Sequence, residues 1–227
     1  MNKKINITLP DGTVFQKEAG VTGQDIAEEI SMGLAKQSVL VELNGILFDL
    51  SYPISENSNL KIIKKGSNEA LDVLRHDCAH IMAQSVQDLF PGTQVTIGPT
   101  IENGFYYDFY RQEGFSHEDL ERIEKRMHSI IDEDIPFKRE IWTREKAIKY
   151  FKEAGELYKV EIIEDLPQDE DISIYRQGEW LDLCKGPHLP STRFIGKAFK
   201  LMNMAGAYWR GDESNTMLTR IYGTAWN

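Results

Sequence analysis

Two short patterns, His76-x-x-x-His80 and Cys184-x-x-x-His188, stand more than a hundred residues apart in a chain with only five histidines and two cysteines. Residues four apart on a helix share one face, with Cβ atoms about 6 Å apart, so His76 and His80 can reach one object. Cys184-Lys185-Gly186-Pro187-His188 places a thiol and an imidazole four residues apart across a Gly-Pro turn that can fold both toward one point. If the two pairs meet, the fold must bring one helix against one late loop. These are soft and borderline metal-ligand groups that also serve acid-base and nucleophilic chemistry, so convergence is the expectation. Cys78 lies about 200° round the helix from both histidines and must face away, as a small buried hydrophobe. His117 and His128 have no partner at ligand spacing and receive no role.

The segments around these patterns predict an α+β chain. Ile5, Ile7 and Leu9 alternate with polar residues, turn at Pro10-Asp11-Gly12 and resume at Thr13-Val14-Phe15, which reads as a hairpin. Thr22 and Asp25 form a capping box ahead of one helix carrying Ile26, Ala27, Ile30 and Leu34. A second hairpin follows around Asn44-Gly45, then a strand at Leu60-Lys61-Ile62-Ile63. This pattern suggests a β-grasp module over residues 1–64, which holds no His or Cys and so offers only an interaction or spacer role. A boundary falls at Gly66-Ser67, with Ser67 capping the helix that carries both histidines until Pro91-Gly92 ends it. A larger α+β unit, 67–227, then holds a hairpin around Asn103-Gly104, helices at 116–131 and 143–154, an alternating strand at Tyr158–Ile162 and a strand at Glu179–Cys184. The stretch 215–227 is neither capped nor finished, as if leading into a longer protein.

Period two turns Asp182 to the same side as Cys184, so a carboxylate borders the cluster; the alternative is a strand-end Asp in a local turn contact. Lys159, in its alternating segment, reads as solvent-exposed. Composition narrows the classes further. The net charge of -10 argues against gripping nucleic acid by bulk electrostatics. Two basic spots, Lys61, Lys64 and Lys65, and Arg193, Lys197 and Lys200, read as solvated surface. No apolar run approaches the roughly 20 residues of a membrane span, and the start at Met1-Asn2-Lys3-Lys4 lacks a signal peptide's apolar stretch, which places the chain in the cytoplasm. Two cysteines are too few for a disulfide scaffold.

An H-x-x-x-H helix followed by C-x-G-P-H behind a β-grasp module resembles the N-terminal region of bacterial threonyl-tRNA synthetases. The match extends through Gly98-Pro99, Asn103-Gly104-Phe105-Tyr106-Tyr107-Asp108 and Asp182-Leu183-Cys184-Lys185-Gly186-Pro187-His188. The resemblance implies a ubiquitin-like TGS module, then an editing domain with an antiparallel sheet and helices that hydrolyses Ser-tRNA(Thr) after transfer and spares Thr-tRNA(Thr). It carries His76, His80, Cys184, His188, Asp182 and Lys159 to the catalytic pocket and Tyr107 to substrate binding. It also implies a tRNA(Thr) acceptor end as partner, together with the catalytic and anticodon-binding domains of a dimeric synthetase. With no room for the class II motifs, this chain by itself should not activate threonine.

A threonine pocket cannot strongly reject serine, because one methyl is worth only about 1–3 kcal/mol, so a second sieve is needed. Water attack is the first expectation and Cys184 as covalent nucleophile the second. Metal-free hydrolysis is the first expectation for cofactors, with Zn²⁺ on His76, His80, Cys184 and His188 as the alternative. Two rival functions stand beside this one: a trans-editing deacylase of the alanyl type, and a non-enzymatic, zinc-stabilised RNA-binding module.

Overall fold

A strand with one buried face needs apolar side chains at every second position. In the computed structural model, which describes residues 3–227, β1 (Lys4–Thr8) meets that need by burying Ile5 and Ile7. Met1 and Asn2, part of the polar start and of the 1–64 span read above, lie outside the described residues. β1 pairs antiparallel with β2 (Val14–Glu18). The capping box at Thr22 and Asp25 opens α1 (Gly23–Ile30). The single helix expected there is two: Ser31 is extended, and its hydroxyl accepts from the Leu34 amide to start α2 (Met32–Gln37). A serine that satisfies an orphan amide favours a new helix start over continuation.

β3 (Ser38–Leu43) and β4 (Ile46–Asp49) form the Asn44-Gly45 hairpin, both turn residues having positive φ, as the two-residue hairpin turn demands. β5 (Ser58–Lys64) completes a sheet of order β2-β1-β5-β3-β4, in which β1 and β5 run parallel. Ile5, Ile7, Ile26, Val41, Leu50, Ile54 and Leu60 form its core. This is a β-grasp arrangement.

Ser67 caps α3 (Asn68–Leu89), whose 22 residues are buried on most sides. Cys78, Ile81, Met82 and Val86 enter the main core of the remaining chain, as the helical angle of Cys78 requires. Then come β6 (Gln94–Val95), β7 (Thr100–Ile101), β8 (Gly104–Tyr110) and α4 (His117–Asp132), the last opened by a capping box at Ser116 and Asp119. β9 (Phe137–Trp142), α5 (Arg144–Glu153), α6 (Leu157–Asp165), β10 (Ile172–Gln177) and β11 (Trp180–Leu183) follow. β12 (Phe199–Tyr208) and β13 (Met217–Ala225) end the order. β11-β10-β9 is one antiparallel sheet, and β12-β13-β8-β6, with β7 on β8, is another.

One expectation needs correction. Tyr158–Ile162 is not a strand but the body of α6. Its five residues are too few to separate period two from helical spacing, and the buried pair Val160 and Ile163 is three apart, on a helical face. Residues 215–227, expected to lead into a longer protein, include β13, which lies between β12 and β8 and buries Leu218, Ile221 and Ala225. Among the described residues no helix is long and apolar enough to cross a membrane. The fold predicts unequal costs along α3. Ile81→Ala, fully buried, should cost about 2–5 kcal/mol and Ser67→Ala about 1 kcal/mol, read as urea midpoints; equal losses would contradict this burial pattern.

Candidate active site

The structure brings the two patterns together. His76 and His80 stand one turn apart on α3, with ring centroids 4.7 Å apart, and the loop after β11 closes on them. Cys184 Sγ is the hub: it lies 3.1 Å from His76 Nε2 and 3.3 Å from His188 Nε2, and it accepts the Gly186 amide at 3.2 Å. One ligand atom from each of His76, His80, Cys184 and His188 lies within 4.8 Å of all the others. Gly186 has φ +72°, and a Cβ there would meet the Tyr175 hydroxyl at 2.1 Å, so the turn tolerates only glycine.

A second cluster sits beside the first. Lys159 Nζ is 2.6 Å from Asp182 Oδ1 and donates to the Tyr107 hydroxyl at 2.9 Å, which donates to Asp182 Oδ2 at 2.7 Å. Lys159 was expected at the surface; it is 2% exposed, because α6 turns it inward toward a carboxylate that offsets the cost of burying an ammonium. Asp182 both borders the cluster and accepts its neighbouring Leu183 amide at 2.8 Å, so the two readings of it hold together.

A cavity of about 470 Å³ joins the clusters, lined by His76, His80 and Cys184 together with Lys159, Tyr107 and Asp182. Gly98 and Pro99 form its rim, and a Cβ on Gly98 would strike the Tyr107 ring at 2.2 Å. His188 lines none of this cavity. It stands behind Cys184, fully buried, with its ring 4.1 Å from that of Tyr175.

Burial sets the protonation states. It lowers His76 to about 4, helped by His188, lowers His188 to about 4 against the pull of Asp49, and holds His80 well below its ordinary value. Burial also pushes the Cys184 thiol far above its ordinary range, which disfavours a thiolate nucleophile.

Three functional neighbours escaped the sequence reading. Asp77 Oδ1 lies 2.7 Å from His188 Nδ1, poorly aligned for a hydrogen bond, while Oδ2 accepts the Leu189 amide at 3.0 Å. Burial pushes the Asp77 carboxyl up and His188 down, so this pair resists charging on both sides. Adjacency to His76 was the one available sign. Glu156 accepts the Val95 amide at 2.9 Å, and burial raises it to about 7. Asp49 accepts the His188 amide at 2.7 Å from the other module, and no spacing pattern announces it. His117 is exposed, and His128 packs on Phe199 with a ring separation of 4.6 Å, away from the site. The basic spots face carboxylates: Lys61 with Glu69 at 3.0 Å, Lys197 with Asp132 and Lys200 with Glu124 at 2.8 Å, and Arg193 with Asp134 at 3.2 Å.

Two or three imidazoles and one sulfur at this separation suit zinc in chemistry and in scale. If all four bind, the tetrahedron is filled and no position remains for water, so the ion would stabilise the fold rather than activate a nucleophile.

The depressed histidines give a signed prediction. Because the unfolded chain takes up protons near pH 6.5 and the folded chain only near 4, chelator-treated protein should lose stability steadily as pH falls from about 6.5 to about 4. His76→Ala should flatten that slope in pH-dependent urea unfolding, and an unchanged slope would contradict a buried neutral His76.

Comparison with known proteins follows the same division. Residues 5–64 match the TGS domain, and residues 172–222 match the threonyl and alanyl tRNA synthetase second additional domain. The chain is 60% identical over 222 residues to threonine–tRNA ligases of Rhodospirillum rubrum and of Maricaulis maris, matching 98% of this chain and 34% of each relative. It is 55% identical over its full 227 residues to that of Bartonella bacilliformis, again 34% of the relative. The chain thus spans about a third of the length of the curated relatives it matches. Its first β-grasp unit is a TGS domain, its later part carries the editing-type second additional domain, and it is similar throughout to the N-terminal 34% of bacterial threonine–tRNA ligases.

Proposed function

We propose that this site hydrolyses the ester of serine on tRNA(Thr) after transfer, while the ester of threonine is excluded by bulk. The observation that carries the reading is a single cavity lined both by the neutral imidazoles of His76 and His80 and by the linked Lys159, Tyr107 and Asp182. A neutral His76, the most exposed imidazole of the three, can take a proton from water as the water oxygen attacks the ester carbonyl. The tetrahedral intermediate expels the ribose oxygen of the terminal adenosine, which recovers the proton from the imidazolium. Lys159 has three donors and spends two on Tyr107 and Asp182, leaving one for the developing oxyanion. Asp182 would bind the serine ammonium, with Tyr107 fixing its carboxylate. His80 would help orient the water, and His188, outside the cavity, would hold Cys184 in place.

In this reading residues 1–64 are the TGS module and 67–227 the editing domain, in the cytoplasm. tRNA affinity comes from the catalytic and anticodon-binding domains of a dimeric ligase, because the net charge of -10 leaves this portion weakly attractive to phosphate. Similarity to threonine–tRNA ligases favours the threonyl over the alanyl substrate. The second reading, a zinc-held RNA-binding module, draws on the four ligand atoms within 4.8 Å.

Deacylation of Ser-tRNA(Thr) and Thr-tRNA(Thr) by this chain separates the readings. Serine should be released with or without chelator, threonine spared, and His76→Ala should slow release by about 10²–10⁴-fold. Loss of activity with chelator and its return with zinc would overturn metal-free attack, and hydrolysis of neither ester would favour the binding module.

A further inference from the structure

The TGS module holds no His or Cys, yet one of its carboxylates reaches the site. Asp49 ends β4, and its two oxygens take two different groups of the editing-type domain. Oδ1 accepts the backbone N–H of His188 at 2.7 Å, and Oδ2 accepts the Tyr175 hydroxyl at 2.8 Å. Tyr175 is itself a brace for the loop: its ring lies 4.1 Å from that of His188, and its hydroxyl occupies the space that any Cβ on Gly186 would need. The Gly186 amide in turn donates to Cys184 Sγ. One carboxylate therefore fixes the end of the Cys184–His188 loop directly and its middle through Tyr175. Cavities of about 260 and 400 Å³ flank this contact, the first lined by Phe48, Tyr52 and Gly186 and the second by Leu50, Phe137 and Leu189. The two Asp49 hydrogen bonds thus cross a contact flanked by open space, and they act beside the bonds that the loop makes within its own domain, from the Leu189 amide to Asp77 and from the Gly186 amide to Cys184.

We propose that Asp49 is a positioning residue for the hydrolytic site, so that the TGS module holds the Cys184–His188 loop in its working shape. The catalytic part of this inference rests on the hydrolytic reading above; the clamp itself does not. Two acceptors on one charged group make the contact stronger than neutral hydrogen bonds and give it a fixed direction.

Two readouts on the intact chain test it, both after chelator treatment so that no metal masks the thiol. The first is the rate of Cys184 alkylation by iodoacetamide, located by peptide mass; Cys78 is fully buried and serves as the internal control for unfolding. Asp49→Ala should raise the Cys184 rate about tenfold, the scale of one charge-assisted hydrogen bond, with Cys78 still protected. The second is deacylation, where Asp49→Ala should lower kcat for the seryl ester with KM unchanged, the signature of lost alignment rather than lost binding. Tyr175→Phe cuts one arm from the editing side without touching the TGS module, and should move both readouts the same way. Wild-type alkylation rates in both variants would overturn the clamp whatever hydrolysis does. A wild-type chain without deacylase activity would sink the hydrolytic reading alone, with alkylation still deciding the role of Asp49.

Discussion

Everything at this site depends on keeping three imidazoles and a thiol neutral and close together in a buried place. Desolvation disfavours the charged form of each, and three imidazoles around one sulfur resist charging together. The fold meets that cost with geometry. Helix α3 supplies two rings one turn apart, and a glycine turn brings the sulfur to them. Asp49 accepts the backbone amide of His188, and Asp77 lies 2.7 Å from its ring. The charged members are confined to the neighbouring cluster, where Lys159 and Asp182 neutralise one another through a 2.6 Å contact braced by Tyr107. The cavity is therefore lined by both uncharged proton acceptors and a polarised cluster, the combination that the proposed ester hydrolysis calls for.

Much of this was legible in the residues, and the reasons are local. Helical spacing aligned His76 with His80 and sent Cys78 into the core, and capping boxes at Thr22 and Ser116 marked true helix starts. The Asn44-Gly45 turn supplied positive φ where the hairpin required it. The failures are equally physical. Five alternating residues at Tyr158–Ile162 satisfied strand and helix periods alike, so Lys159 was placed outside when α6 points it inward. Asp49 and Tyr175 lie 126 residues apart and meet only through tertiary packing, so no spacing rule could join them. Asp77 follows His76 in sequence, but its partners, the His188 ring and the Leu189 amide, lie more than a hundred residues on and meet it only through the fold.

The acidic surface fits a portion whose substrate is delivered by something else. Lys61, Arg193, Lys197 and Lys200, which might have formed a phosphate track, each stand about 3 Å from a carboxylate, so in the proposed reading specificity rests on the cavity more than on the field around it. In the proposed reading the sieve lies where Gly98 and Pro99 line the cavity beside Tyr107, a place so close that a Cβ on Gly98 would strike the Tyr107 ring at 2.2 Å.

That sieve is the central claim, and binding tests it without waiting for chemistry. Calorimetric titration of this chain with the amide-linked, non-hydrolysable seryl and threonyl derivatives of 3′-amino-3′-deoxyadenosine compares the two side chains directly. The account predicts that the seryl compound binds at least about tenfold more tightly, the value of one rejected methyl. Equal affinities, or tighter binding of the threonyl compound, would contradict it.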